Sequence, residues 1–590
     1  MAKRTLLAAL LIFTSIVQAQ QAGTTIYLNQ VGFYPSAPKW AFVSGASSAR
    51  FFVLDAASGD TVYRGTLGPE KPSLNSSLRL KSADFSGLKG EGRYLLVMPG
   101  GAKSHPFQIS SDVHRAAAIA VLKGFYFQRS NGILEERFAG RWQRPSGHPD
   151  TAVLVHPSAA SENRPAGTTI SSPGGWYDAG DYNKYIVNSG ITMGTLFSAY
   201  EDFPAYYKRL NVGIPESSDA VPDILNEALY NLRWMMTMQD PHDGGVYHKL
   251  TNASFDGMVM PGVTKDPRFV VQKGTAATLD FAAVMAQGAR VLKAFEKQLP
   301  GLSDSCLRAA ASAWNWATKN PNLRYSQSRI SASFQPAVST GEYGDSRFGD
   351  EWLWAAAELF VTTNKRNYFD TVVARLKEPV ALPSWGSVEM LGYYTLVRQG
   401  ASLPPYVARI LPALKDSIIK KATQLLAGAR TNAFGTPMGG TKSDFVWGSS
   451  AVAANQGILL LNAYRLTKRD AFLQGALANA DYLLGRNATG FSFVTGIGSK
   501  TPMHPHHRPS VADGIAEPVP GLLSGGPNPG RQDSCKYAFT EPETAFTDDD
   551  CSYASNEIAI NWNAPAVYLF NAVEAILGSE KIQGKKTVKQ

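Results

Sequence analysis

SDVHRAAAIAVLKGFYFQ, residues 111–128, is where the chain changes period. Small and apolar residues recur there at helical spacing behind Asp112, a residue type that caps helix N-termini. Upstream, from about Thr24 to Ile109, short β-type runs alternate with turn residues: IYLNQVGF, KWAFVSG, FFVLD, DTVYRG, RYLLVMPG and HPFQIS. FFVLDAASGDTVYRG holds two such runs around a turn with Gly and Asp, which predicts a hairpin. Strands at this spacing predict a small β-sandwich of immunoglobulin type. Downstream, roughly a dozen helical segments run to Leu577 between Gly- and Pro-rich loops. In VPDILNEALYNLRWMMTMQ, Asp219 is placed as the cap, Pro222 in the first turn, and Leu225, Leu229 and Leu232 on one face. Small apolar faces suit helix-on-helix packing, so the expected architecture is multidomain: the sandwich, then an all-α barrel of two concentric helix rings. The expected divisions are 1–19 a signal peptide, 20–110 the sandwich, 111–578 the barrel and 579–590 a basic tail.

At the start, Lys3 and Arg4 precede an apolar run from Leu6 to Val17, followed by the small-residue pattern ending at Ala19. The run is short for a bilayer span, so export to the periplasm or the medium is expected over membrane anchoring. No later stretch is long and apolar enough to be a transmembrane helix. The 590 residues are 44% hydrophobic and 18% charged, an ordinary globular balance with material for a large core. The formal charge of +9 comes from scattered basic residues, dense only from Lys581 to Lys589. Without a basic stripe or a recognition motif, a nucleic-acid partner is set aside. Three cysteines are too few for a disulfide scaffold and lack CxxC spacing for a metal. Cys535 and Cys551 flank a loop and could pair after export, with Cys306 left as a buried thiol; the residues leave that pairing open.

Two loops combine carboxyl groups with aromatic rings, and long ordered loops on a rigid scaffold are where function concentrates. Hydrolysing a glycosidic bond takes one carboxylic acid to protonate the leaving oxygen and one carboxylate to activate water or attack. In GGWYDAGDYNKY, residues 174–185, Asp178 and Asp181 can face one side and share a water. Trp176, Tyr177, Tyr182 and Tyr185 surround them with rings of the kind that stack on sugars. Two turn-forming, solvent-exposed Asp residues would explain the same pattern. In FTDDDCSYASNEIAINWNAP, residues 546–565, Glu557 sits among Tyr553, Ile558, Ile560 and Trp562. That apolar setting would keep an acid catalyst protonated. A Glu at a helix N-terminus, where the dipole lowers its pKa, is the opposing reading.

These segments resemble glycoside hydrolase family 9, the cellulase family with an (α/α)6 barrel often preceded by an immunoglobulin-like domain. SFVTGIGSKTPMHPHHR, residues 492–508, is similar to the family's His-containing signature, and residues 546–564 to its second, acidic signature. GGWYDAGDYNKY looks like the base loop, and LNQVGFYP like the opening of the N-terminal domain. VPDILNEALYNLRWMMTMQD and GVYHKLT resemble a helix and a loop between them. The likeness runs from about Tyr27 to Tyr568. It implies a secreted, inverting endo-β-1,4-glucanase acting as a monomer on a β-1,4-glucan polysaccharide or oligosaccharide. Asp181 would be the general base, Asp178 its partner on the water and Glu557 the general acid. His506 and Arg508 would bind sugar hydroxyls near the cleavage point, and Asp548 would support the acid loop. His248, Trp447, Trp176 and Tyr553 would contact the sugar chain. HPHH also reads as a metal-binding run, but its prolines prevent helical ligand spacing. Inversion implies acid and base carboxyls roughly 6.5 to 9.5 Å apart, with room for a water.

The resemblance implies no cofactor for the chemistry. SRFGDEWLW, with Ser346, Asp350 and Glu351, is similar to a calcium loop of the family, although a capped helix start explains it equally. RPSGHPD has Gly147 where zinc-binding relatives carry a Cys, so zinc is not expected. The alternatives are exo-acting members, or hydrolases of mixed-linkage glucan, xyloglucan or chito-oligosaccharides. A non-catalytic glycan-binding protein is the alternative of another class.

Overall fold

The computed structural model describes residues 23–376 and 380–578, and the expected signal peptide and basic tail lie outside them. Nine strands build the first unit: β1 Thr25–Tyr27, β2 Gly32–Phe33, β3 Trp40–Ser44, β4 Arg50–Asp55, β5 Thr61–Thr66, β6 Glu70–Pro72, β7 Arg79–Asp84, β8 Gly92–Val97 and β9 Phe107–Ile109. They form two sheets, ordered β1-β3-β7-β6 and β2-β9-β8-β4-β5. The alternation in β4 turns Phe51 and Val53 inward, where they meet Phe33, Val43, Leu96 and Phe107 between the sheets. The expected hairpin is β4–β5. Asp55 Oδ1 closes its turn by accepting the amides of Ala57 and Ser58 at 2.9 and 3.0 Å.

Twelve long helices follow: α1 Arg115–Phe127, α2 Ile186–Asp202, α3 Asp223–Thr237, α4 Thr275–Leu292, α5 Leu302–Lys319, α6 Gly349–Thr363, α7 Arg366–Arg375, α8 Glu389–Gln399, α9 Leu411–Thr431, α10 Ser449–Thr467, α11 Asp470–Leu483 and α12 Ile560–Leu577. The even-numbered helices are buried along nearly their whole length and form the inner ring. α2 packs on α4, α4 on α6 and α6 on α8, while α12 lies between α10 and α2 and completes the ring. The odd-numbered helices bury one face against it, as α5 does through Cys306, Ala310, Ala313 and Ala317. This is the (α/α)6 barrel.

Two caps differ from expectation. Helix α1 begins at Arg115, and it is the Asp112 carbonyl that accepts the Arg115 amide at 3.0 Å. Helix α3 begins at Asp223 behind Pro222, while Asp219 accepts the Val221 amide at 2.7 Å in the preceding turn. In both places a polar residue ties the loop ahead of the helix, which local sequence does not separate from capping. Sandwich and barrel meet through Tyr27, Phe42 and Leu80 against Ala433 and Phe434. Asn29 donates to Asp481 at 2.8 Å across the same junction.

A small sheet, β10 Val153–Val155, β11 Thr169–Ile170, β12 Lys184–Tyr185, β13 Lys249–Asn252 and β14 Arg268–Val270, roofs one end of the barrel. At that end the inner helices present their N-termini, and the segments leading into α2, α6, α8, α10 and α12 surround a single cleft.

Candidate active site

Residues 174–185 turn through Gly174 and Gly175, both at φ near +80°. The Tyr177 amide then bonds the Gln128 carbonyl at 2.8 Å, and the Ile560 amide bonds the Asp178 carbonyl at 2.8 Å. The loop is thus held between the end of α1 and the start of α12. Gly180 lies so close to the second loop that a Cβ there would fall 2.0 Å from the His506 carbonyl oxygen. Arg508 locks this approach by donating to the Gly180 carbonyl from its amide at 3.1 Å and from Nη1 at 2.8 Å.

Asp178 and Asp181 both line the cleft, and they differ in their partners. Asp178 is fully buried; Asn188 Nδ2 donates to both its oxygens at 3.0 Å, and the Tyr343 hydroxyl donates to Oδ2 at 3.0 Å. Burial, with the Asp181 charge added, pushes its carboxyl well above the ordinary range despite those donors. Asp181 accepts from Asn183 Nδ2 at 2.6 Å and from the Tyr185 hydroxyl at 3.2 Å, both on Oδ2.

Glu557 enters the cleft from the segment ahead of α12. A parallel bridge pairs it with His506, and the Gly525 amide holds its carbonyl at 2.8 Å. Its carboxyl is pushed well above the usual range, first by burial and then by the charges of Asp181 and Asp178; Arg508 and the Gly180 backbone pull the other way without prevailing. Between the two readings of the sequence, the apolar, acid-crowded setting outweighs the helix terminus. His506 Nδ1 lies 2.5 Å from the Asp550 carbonyl and donates to it, which leaves Nε2 as the acceptor in the neutral ring. Burial lowers the pKa of this ring.

Asp548 does not line the cleft. Its carboxylate accepts the amides of Met503 and His504 at 2.9 Å and Asn556 Nδ2 at 3.0 Å, tying the His506 segment to the Glu557 segment. Cys535 and Cys551 are paired, with Cα atoms 5.9 Å apart, around the chain that carries Asp548 and Asp550. Cys306 is a buried free thiol.

The cleft has a volume of about 830 Å³. Among the sugar contacts read from sequence, His506, Arg508, Trp447 and Tyr553 line it. Trp447 and Tyr553 present half-exposed rings with centroids 5.5 Å apart. Trp176 and His248 do not reach it. Trp176 is fully buried on Phe125 and directs Nε1 at Glu227, 3.4 Å away. His248 stacks on Tyr325 at 3.9 Å and bonds the Glu342 carbonyl at 2.8 Å behind the wall. Tyr177 and Tyr182 are likewise buried, their hydroxyls donating to the carbonyls of Ser130 and Val259 at 2.9 and 2.6 Å. Of the base loop's four rings only Tyr185 faces the cleft. The structure adds Phe255, Tyr343 and Trp385, which come from loops outside the two carboxyl-rich loops read for the chemistry.

The calcium-like segment gathers Asp345, Asp350 and Glu351, one oxygen from each lying within 4.8 Å of the others. Ser346 is exposed, and its amide donates to Asp345 Oδ1 at 2.5 Å. Asp280 of α4 joins from the neighbouring inner helix, and the buried carboxyl oxygens of Asp280 and Glu351 have no hydrogen-bond donor. Burial and mutual repulsion push both carboxyls up, so the donor set fits a hard dication that would supply the missing charge. The segment read for zinc, around Gly147, is built differently. His148 offers one imidazole with Nδ1 2.8 Å from the Tyr177 hydroxyl, and a side chain at Gly147 would press within 2.2 Å of that hydroxyl.

This arrangement has known counterparts. The Glycosyl hydrolase family 9 model matches residues 115–570, and the Cellulase N-terminal ig-like domain model matches residues 21–103. A xyloglucan-specific endo-β-1,4-glucanase of Bacteroides ovatus is 46% identical over 93% of this chain and 94% of its own length. Endoglucanase D of Acetivibrio thermocellus is 32% identical over 94% of this chain and 84% of its own. A solved family 9 structure from Bacteroides ovatus superposes with a TM-score of 0.89 at 45% identity, covering 94% of this chain and 99% of that one. The chain is a glycoside hydrolase and belongs to glycosyl hydrolase family 9.

Proposed function

We propose that the chain is an exported, monomeric, inverting endo-β-1,4-glucanase. Asp181, with Asp178 beside it, draws a proton from water, while Glu557 protonates the leaving glycosidic oxygen. The observation that carries this reading is the convergence of the three carboxyl groups on one aromatic-lined cleft, with Glu557 pushed towards its protonated form. Both donors to Asp181 settle on Oδ2, leaving Oδ1 for the attacking water. His506 and Arg508 would meet sugar hydroxyls, and Trp447, Tyr553 and Phe255 would stack on ring faces along the cleft. Asp548 acts at one remove, by fixing the segments that carry His506 and Glu557. Export is supported by the Cys535–Cys551 disulfide, which persists in oxidising compartments. Among the described residues no helix is long and apolar enough to cross a membrane.

A second reading of the substrate is favoured by the 46% identity to a relative named for xyloglucan. Products from cellohexaose, carboxymethylated cellulose and xyloglucan, followed by proton NMR during early hydrolysis, test both. The α-anomer is expected first, with fragments of mixed length. The β-anomer first would overturn inversion, and short products from one end alone would overturn endo action. A higher kcat/KM on xyloglucan than on the unbranched glucans would select the branched substrate.

Asp345, Asp350, Glu351 and Asp280 would hold a calcium ion. The ion would offset their mutual repulsion and fix the loop that delivers Tyr343 to Asp178. At a hundredfold excess over Kd, such an ion contributes about 2.7 kcal/mol to stability. Calorimetry is expected to show a lower Tm in chelator, restored by calcium. A Tm indifferent to both would sink this site.

A further inference from the structure

The GVYHKLT motif leaves one residue without a role once His248 is placed behind the wall. Lys249 is the first residue of β13, paired across the sheet with Tyr185 of β12. Its side chain is buried, and the hydrogen-bond partners of its ammonium among the described residues are all uncharged. An ammonium held this way is costly unless all its protons are satisfied. Nζ donates to Gln327 Oε1 at 2.7 Å, Thr340 Oγ1 at 2.9 Å and the Gly341 carbonyl at 2.6 Å, while the rings of Tyr185 and Tyr325 flank it at 5.4 and 5.7 Å.

Two routes lead from this ammonium to one atom. The Gly341 amide donates to the Tyr185 hydroxyl at 3.1 Å, which donates to Asp181 Oδ2. Thr340 Oγ1 lies 2.6 Å from Thr251 Oγ1, whose single proton is shared between the Asn252 carbonyl at 2.7 Å and Asn183 Oδ1 at 3.0 Å; Asn183 Nδ2 donates to the same Asp181 oxygen. We propose that Lys249 is a positioning residue for the base, bracing Asp181 through both routes and setting a positive charge behind it. Burial draws the Lys249 pKa down to about 7, while the charges of Asp181 and Glu342 favour its charged form. Tyr185, Tyr325 and His248 are the other titratable groups facing it, and burial holds all three neutral.

The proposal rests on Asp181 being the base, and one set of variants separates the two claims. Steady-state rates on cellohexaose from pH 4 to 9 are compared for wild type, Lys249→Met, Lys249→Arg and Asp181→Asn. Lys249→Met is expected to lower kcat about tenfold or more with KM within threefold, and to move the low-pH limb of kcat/KM upward by about half a unit. Lys249→Arg, which keeps the charge, is expected to hold that limb in place. A low-pH limb unmoved in Lys249→Met overturns the positioning role, whatever happens to Tm. Should Lys249→Met fail to fold, Thr340→Val breaks one route alone; a kcat loss of about threefold supports the proposal, and an unchanged kcat overturns it. An active Asp181→Asn enzyme overturns the base assignment instead.

Discussion

Glu557→Gln is expected to lose roughly 10²–10⁴-fold in kcat on cellohexaose, the range that general acid catalysis supplies. The loss should depend on the leaving group. A substrate carrying dinitrophenolate departs without a proton and should be cleaved at close to the wild-type rate, whereas glucose or cellobiose as leaving group should not. An equal loss on both would remove Glu557 from the acid role. The same variant is expected to melt higher than wild type at neutral pH. Burial and the charges of Asp181 and Asp178 raise the folded-state pKa of Glu557 above its unfolded value. Its ionisation therefore costs stability as pH rises through that window, and the neutral amide avoids the cost. Tm at pH 7 for the two proteins is the check. A gain in stability alongside a loss of rate is what a carboxyl kept for chemistry produces.

Asp181→Asn is expected to cost about as much, roughly 10²–10⁴-fold in kcat with KM little changed, because the amide cannot take a proton from water. Asp178→Asn should cost less. Asp178 is buried and pushed towards its neutral form, so an amide imitates the state its surroundings favour. Its bonds from Asn188 and Tyr343 can reach the amide oxygen. Measuring both variants on cellohexaose decides the order, and a larger loss in Asp178→Asn would exchange their roles.

The fold was legible because its signals are local. The change of period at residue 111 separates alternating strands, such as β4 with Phe51 and Val53 inward, from helices with small apolar faces. The three carboxyls were found by their loops and by resemblance, since composition and turn chemistry fit exposed residues equally well. The direction of a ring was not legible. Trp176 and Tyr185 stand in one short loop, yet one packs on Phe125 behind the wall and the other faces the cleft. Which side each takes depends on Phe125 of α1 and on Tyr343, both outside the loop. Tyr343 and Trp385 escaped notice because an aromatic residue in a loop carries no mark of what it will face. Asp280 was missed for a similar reason: it lies inside α4, and only the contact between two inner helices brings it to Asp350 and Glu351.

The position of α12 also fixes when the enzyme becomes an enzyme. Asp181 is made 376 residues before Glu557, an interval of about 20–75 s at the usual 5–20 residues per second of synthesis. Throughout it the nascent chain carries a base without an acid. Glu557 emerges just ahead of Ile560, and the helix that begins there is the one that fits between α10 and α2. Ring closure and the placement of the acid therefore depend on the same last-made segment. A chain stalled before residue 557 should be silent however much of it has folded.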